Sequence, residues 1–376
     1  MTEITRVGID LAKKIFHLSA MDADGNIVER KRLRRSELQS YLARLPTPCV
    51  VAMEACGGAH HWGRLAMRHG HEVRLMSAQF VVPYVKSNKS DTLDADAIAE
   101  ASTRPTMRFV GVKSVEQEYV QHVHRARQLA LRHRTAQTNQ LHGMLLEYGV
   151  AAPKGASAML KRLAEVLEDA ENELLSATRA LLWNMGQELR RLDERVQQFD
   201  LEISALARQM PAAQRLMTIP GIGEKTATAL VAAVGDASVF RNGREMAAWL
   251  GLVPRQRSTG GRAVLLGISK RGDRHLRTLL IHGARSALLA ATRRPDRRSR
   301  WAVDVKERRE ATWLRSPSPT RMRARRGRYS CVASRSTSHT WEMPCEGHSE
   351  PTPGNATAGT ASSRCAAPSL RYGPDG

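Results

Sequence analysis

At 376 residues with 42% hydrophobic side chains, the chain has room for two or three folded units of roughly 100–200 residues each, which excludes wholesale disorder. No run approaches about 18 apolar residues and MTEITRVGID lacks a signal-peptide shape, so a soluble cytoplasmic protein is expected; five cysteines without a CxxC pair exclude a disulfide framework and a zinc ribbon. The net charge is +21, and residues 251–310 alone hold 16 basic against 5 acidic side chains, which points to a polyanion, nucleic acid before membrane.

Residues 1–113 alternate short β-patterned runs with helical ones. Strands are predicted at Arg6–Asp10 (RVGID), Ile15–Ala20 and Asn26–Leu33, the last two joined by a turn at 22–25. Ser36 and Gln39 read as a capping box for a helix through Arg44. A buried strand over Cys49–Met53 ends at Glu54. A helix over Ala59–His69, a strand over Glu72–Met76, a helix over Asp91–Ala101 and a last strand near Met107–Val112 follow. Antiparallel strands followed by β-α-β-α predict a mixed α/β sheet with helices on its faces.

From Ser114 the pattern is helical. Ser114 and Gln117 form a second capping box, for a helix reaching about Tyr148. Helices over 156–167 and 171–210 follow, the second with a long heptad-like register through Leu174, Leu181, Leu182, Leu189, Leu192, Val196, Phe199, Ile203 and Leu206. A helical, glycine-punctuated unit runs from Pro211 to about Ala290. Beyond residue 310 the composition changes: residues 311–376 contain no Lys, Ile or Phe, are rich in Arg, Ser, Pro, Thr and Gly, and read as disordered.

Four carboxylates stand out. Asp10 and Glu54 end strands, and Asp91 and Asp94 share one face at the start of a helix. Such a set could cage one or two Mg²⁺ ions for phosphodiester chemistry; ordinary strand-end and helix-N-terminal acids are the competing reading. Asp96 and Glu100, further along that helix, read as solvated. In MTIPGIGEKTATALVAAVGD (217–236), Gly221 and Gly223 with Lys225 suggest a helix-hairpin-helix that holds a phosphate, or else a tight glycine turn packing two helices. In residues 251–288, Ser258-Thr259-Gly260-Gly261 reads as a small loop flanked by Arg255, Arg257, Arg262, Lys270 and Arg271. A hydroxyl there could attack a phosphodiester or merely bind one.

VGIDLAK, MEACGGAHHW, KSDTLDADAIAEA, IPGIGEKTA and STGGRAVLLGISKRGDRHLRTLLIHGAR, in this order, resemble insertion-sequence transposases that join a RuvC-like DEDD domain to a serine-bearing transposase domain, the bridge-RNA-guided recombinases. The resemblance covers about residues 6–310. It implies an RNase H-like (RuvC-like) nuclease domain over 1–113, a helical coiled-coil dimerisation arm over 114–210, and a small, mainly α transposase domain over 211–310. It also implies Asp10, Glu54, Asp91 and Asp94 as Mg²⁺ ligands, Ser258 rather than Thr259 as covalent nucleophile, donor and target DNA as substrates, a structured guide RNA, and a homodimer or higher oligomer. Two rival functions stay open: a RuvC-type metal-dependent junction nuclease, and a non-catalytic nucleic-acid binder. The likeness fades after about Arg309, where ATWLRSPSPTRMRARRGRYSCVAS reads like a GC-rich gene translated in a wrong frame.

Overall fold

A computed structural model describes residues 3–85 and 90–314; the tail for which disorder is expected lies, from residue 315 on, outside the described residues. Six strands form one sheet in the order β3-β2-β1-β4-β5-β6. They are β1 (Arg6–Asp10), β2 (Ile15–Met21), β3 (Ile27–Arg34), β4 (Val50–Glu54), β5 (Glu72–Met76) and the two-residue β6 (Phe109–Val110). β1 runs antiparallel to β2 and parallel to β4, and β4 runs parallel to β5. The sheet is thus mixed, and its parallel centre carries the first and fourth strands side by side.

Alternation along β1 and β4 sends successive side chains to opposite faces. Val7, Ile9, Val51 and Met53 point to one side, into a core closed by α1 (Leu38–Leu42) and α2 (Ala59–Arg68) through Leu38, Leu42, Trp62 and Leu65. Ala52 points to the other side, against α4 (Asp91–Ala101) and the short α3 (Ala78–Val81), where Val81, Ala97, Ile98 and Ala101 are buried. Gly8 faces α4 too, and the fit is close. A Cβ on Gly8 would lie 2.5 Å from the Ala95 carbonyl oxygen and 2.7 Å from the Ala99 Cβ.

The Ser36–Gln39 capping box does not form. Glu37 precedes α1, and its carboxylate accepts from the Arg34 N–H at 2.6 Å, bracing the end of β3 instead. The box at Ser114 and Gln117 is complete, with both reciprocal bonds present. It starts α5 (Val115–Glu147), which is braced to α2 and to its own lead-in. Arg64 of α2 pairs with Glu118 at 2.9 Å and donates to the Lys113 carbonyl at 2.7 Å, and Lys113 Nζ donates to Gln121 at 3.0 Å.

α5, α6 (Ala156–Glu168) and α7 (Ser176–Gln209) pack together, with Leu141, Leu145, Met159, Leu163, Leu182 and Leu189 buried between them. The seven-residue series Leu182, Leu189, Val196, Ile203 is buried throughout, so this seam is filled within the chain. α7 begins five residues later than the sequence pattern places it, because Asn172 caps the preceding turn and holds Arg179. Ion pairs Arg127–Asp200 (2.5 Å) and Arg134–Asp193 (2.6 Å) join α5 to α7.

The remaining helices are α8 (Pro211–Met217), α9 (Glu224–Val234), α10 (Gly243–Trp249), α11 (Arg274–Ala291) and α12 (Arg297–Leu314). Leu230, Leu250 and Leu276 centre the core of α8 to α11. Between α10 and α11 the structure adds a two-stranded antiparallel ribbon, β7 (Pro254–Thr259) and β8 (Arg262–Ile268), where the sequence pattern suggested helices and a loop. Residues Met1–Asp304 form one compact unit. Among the described residues no helix is long and apolar enough to cross a membrane.

Candidate active site and nucleic-acid interface

Asp10 ends β1 and Glu54 ends the adjacent parallel strand, and the register Gly8↔Ala52, Ile9↔Met53 carries both carboxylates out on the side that α4 covers. Asp91 and Asp94 occupy the first turn of α4. The close seat of α4 on Gly8 brings its first turn over the strand end. Carboxylate oxygens of Asp10, Asp91 and Asp94 all lie within 4.8 Å of one another; Asp10 and Asp94 are half-buried and Asp91 is exposed. Glu54 stands outside this group of three, yet it belongs to the same surroundings. The Cys56 thiol is raised above its ordinary value by desolvation, then by the charge of Glu54 and of Asp10.

His17 completes the arrangement. It lies opposite Asp10 in the β1–β2 register, and its Nδ1 is 3.7 Å from Asp91 Oδ2. Sequence reading missed it, because its place opposite Asp10 depends on how β2 pairs with β1. Asp91 and Asp94 have no Lys or Arg partner among the described residues. By contrast Asp96 and Glu100, expected to be solvated, are paired: Asp96 with Arg30 of β3 at 2.9 Å, Glu100 with Arg104 at 2.7 Å. Three clustered carboxylates repel one another unless a cation is shared, and hard oxygen donors in this number suit a divalent ion. The donor set therefore fits such a metal, with Asp10, Asp91 and Asp94 positioned to hold it and Glu54 at the adjoining strand end.

The glycine loop between α8 and α9 is a packing device at Gly221. That residue has φ +88°, and its backbone meets Gly283 of α11. Gly223 precedes α9 with open space beside it, and Lys225 is paired with Asp200 at 2.9 Å. Beneath α9, His124 of α5 is buried, its Nε2 2.9 Å from Thr228 Oγ1. The Thr228 hydroxyl already donates to the Glu224 carbonyl at 2.7 Å, so His124 must donate from Nε2. Burial first, then His275, Arg127 and Lys225, depress its pKa to about 4.

Ser258 and Thr259 are the last two residues of β7, and Gly260 and Gly261, at φ +56° and +77°, alone make the turn. The ribbon is solvent-exposed along nearly its whole length, including Arg255, Arg257 and Arg262. Its root is tightly built. A Cβ on Gly251 would lie 1.9 Å from the Arg271 carbonyl oxygen, and one on Gly272 2.0 Å from that of Trp249. Lys270 there adopts φ +57°. Buried Arg277 donates to the carbonyls of Leu250 (3.0 Å) and Arg271 (2.9 Å), tying together the chain entering and leaving the ribbon.

A transposase family model of the DEDD type matches residues 7–150, and the model described as "Transposase IS116/IS110/IS902 family" matches residues 213–302. The chain is 46% identical over 309 residues to a probable family 20 transposase of Pseudomonas aeruginosa, covering 82% of this chain and 91% of that one. It is 45% identical to the transposase for insertion sequence element IS1328 of Yersinia enterocolitica (76% and 84% covered). It is 43% identical to the transposase for insertion sequence element IS1111A of Coxiella burnetii (82% and 85%). Family membership implies DNA cleavage and rejoining and, with the acidic cluster, use of a divalent metal. The chain belongs to the IS116/IS110/IS902 family of insertion-sequence transposases.

Proposed function

We propose that this chain recombines DNA through a composite site, in which an acidic, metal-holding centre and the Ser258 ribbon act on one phosphodiester. In this reading residues 1–113 are a RuvC-like, RNase H-like nuclease domain, residues 114–210 a dimerising arm, and residues 211–310 the domain that carries the nucleophile. The single observation that supports it best is the meeting of Asp10, Asp91 and Asp94 from separate parts of the sequence. A Mg²⁺ ion bound there would supply charge neutralisation at the phosphodiester oxygens. Glu54 serves beside these three as the fourth acid.

Ser258 attacks phosphorus, an Oγ–P bond forms, one P–O bond to a DNA strand end breaks, and the proton lost from Oγ ends on the leaving oxygen. The phosphodiester is conserved in energy, so the reverse attack by another strand end rejoins DNA. Arg255, Lys270 and Arg271 near the ribbon root, with Gly223 at the start of α9 and Lys225, add phosphate contacts. A structured guide RNA selects donor and target DNA, in the bacterial cytoplasm, and a second copy of the chain completes the assembly.

The test is trapping. Protein incubated with DNA, the RNA that co-purifies with it, and Mg²⁺ should yield a covalent protein–DNA adduct mapped to Ser258. Ser258→Ala should lose the adduct and keep RNA binding. Strand cleavage without any adduct would favour a hydrolytic junction nuclease instead, and an adduct at Thr259 would move the nucleophile by one residue.

A further inference from the structure

The ribbon's register divides its side chains into two unlike faces. Cross-strand partners share a face, and successive residues alternate. Arg257 lies opposite Val264 and Thr259 opposite Arg262, so both guanidiniums belong to one face. Gln256 lies opposite Leu265 and Ser258 opposite Ala263, so the other face carries no charge. The hydrogen bond from Gln256 Nε2 to Ser258 Oγ, at 2.7 Å, places those two side chains together independently of the register. The Ser258 hydroxyl and the guanidiniums of Arg257 and Arg262 therefore point apart. Neither Arg257 nor Arg262 has an ion-pair partner among the described residues, and both are exposed.

We propose that the ribbon separates grip from chemistry by face: Arg257 and Arg262 hold the DNA backbone on one side, and Gln256 positions Ser258 on the other. The inference rests on Ser258 being the nucleophile. A guanidinium pair free of carboxylates is matched to phosphates, whose neutralisation releases counterions. On the neutral face, an amide N–H donated to Oγ fixes the serine rotamer. It also stabilises the negative charge that grows on oxygen as its proton departs. Gln256 is thus a positioning residue.

Steady-state and single-turnover adduct formation, with DNA and co-purifying RNA, would read the two faces separately. Gln256→Glu keeps the shape but, ionised, cannot donate. Its kcat should fall about tenfold to a hundredfold with KM little moved. The deficit relative to the unaltered protein should shrink as pH falls towards the carboxyl's own range, because a protonated carboxyl donates again. A deficit that does not vary with pH, or none at all, would overturn the role of Gln256. Arg257→Gln/Arg262→Gln should raise KM far more than it lowers kcat and should flatten the salt dependence of DNA binding by about two charges' worth. An unchanged salt slope, or a slope lost for RNA and kept for DNA, would overturn the grip. If Ser258→Ala retains the adduct, the nucleophile reading fails by itself, and the binding measurements still decide the arginine face.

Discussion

Gly221 and Gly283 meet backbone to backbone: a Cβ on Gly221 would stand 2.5 Å from the Gly283 carbonyl oxygen, and one on Gly283 only 1.9 Å from that of Gly221. This contact seats the loop before α9 on α11 and so joins two helices of the ribbon-bearing unit. Gly221→Ala, strained further by its positive φ, should cost about 2–4 kcal/mol. Thermal melting checks this; an unshifted midpoint would mean that the loop moves aside freely.

Gly8→Ala addresses the acidic cluster without touching a carboxylate. The added methyl must push α4 off β1, since the obstacles are the Ala95 carbonyl and the Ala99 backbone and Cβ rather than a flexible side-chain end. Stability should fall by about 1–3 kcal/mol. Mn²⁺ binding, followed by calorimetry on the folded variant, should weaken together with strand cleavage. Undiminished binding would show that Asp91 and Asp94 reach Asp10 by another route.

The His124–Thr228 pair predicts a pH dependence of stability. His124 is held neutral in the folded chain, with a pKa of about 4, whereas an unfolded histidine titrates near 6.5. Its folded pKa is depressed, so the unfolded chain binds the extra proton, and stability falls as pH drops from about 6.5 towards 4. Half-buried His275, also depressed by desolvation, acts in the same direction. The expected loss is on the order of 3 kcal/mol. His124→Gln should flatten that part of the denaturation profile, and an unchanged slope would reject the assignment.

Arg277→Met should loosen the ribbon root while leaving the sheet alone. Two buried carbonyls lose their donor, at about 2–4 kcal/mol. The amide of Lys270, which donates to Gly251, and that of Ser269, which donates to Val253, should then exchange with solvent faster. Protection retained at both amides would show that the glycine crossings hold the root unaided.

The order of strands and helices was legible because hydrophobic period and turn chemistry are local. α4, for instance, spans the residues its pattern predicts, Asp91–Ala101. Asp10, Glu54, Asp91 and Asp94 could be picked out as strand-end and helix-start acids. What escaped depends on pairing between distant segments. His17 matters only once β2 is laid against Asp10, and Gly8 only once α4 crosses it. The ribbon was hidden because its exposed strands bury too little to show a core-facing alternation, so Ser258 read as a loop residue beside Arg257 and Arg262, which in fact lie on the opposite face.

α5 has a mechanical consequence. Its first turns are tied by Arg64–Glu118 to α2, which packs on the sheet, and a few turns on it is tied to α9 and α7 by His124–Thr228 and Arg127–Asp200. One continuous helix is thus a common beam for the acid-bearing sheet and the ribbon-bearing helices, with no slack segment between the two sets of fastenings. A swing of one part against the other must bend this beam or release ties worth about 1.5–3 kcal/mol for each charged hydrogen bond. Within one chain, the spacing between the carboxylates and Ser258 is therefore set by the stiffness of a helix rather than by the reach of a linker.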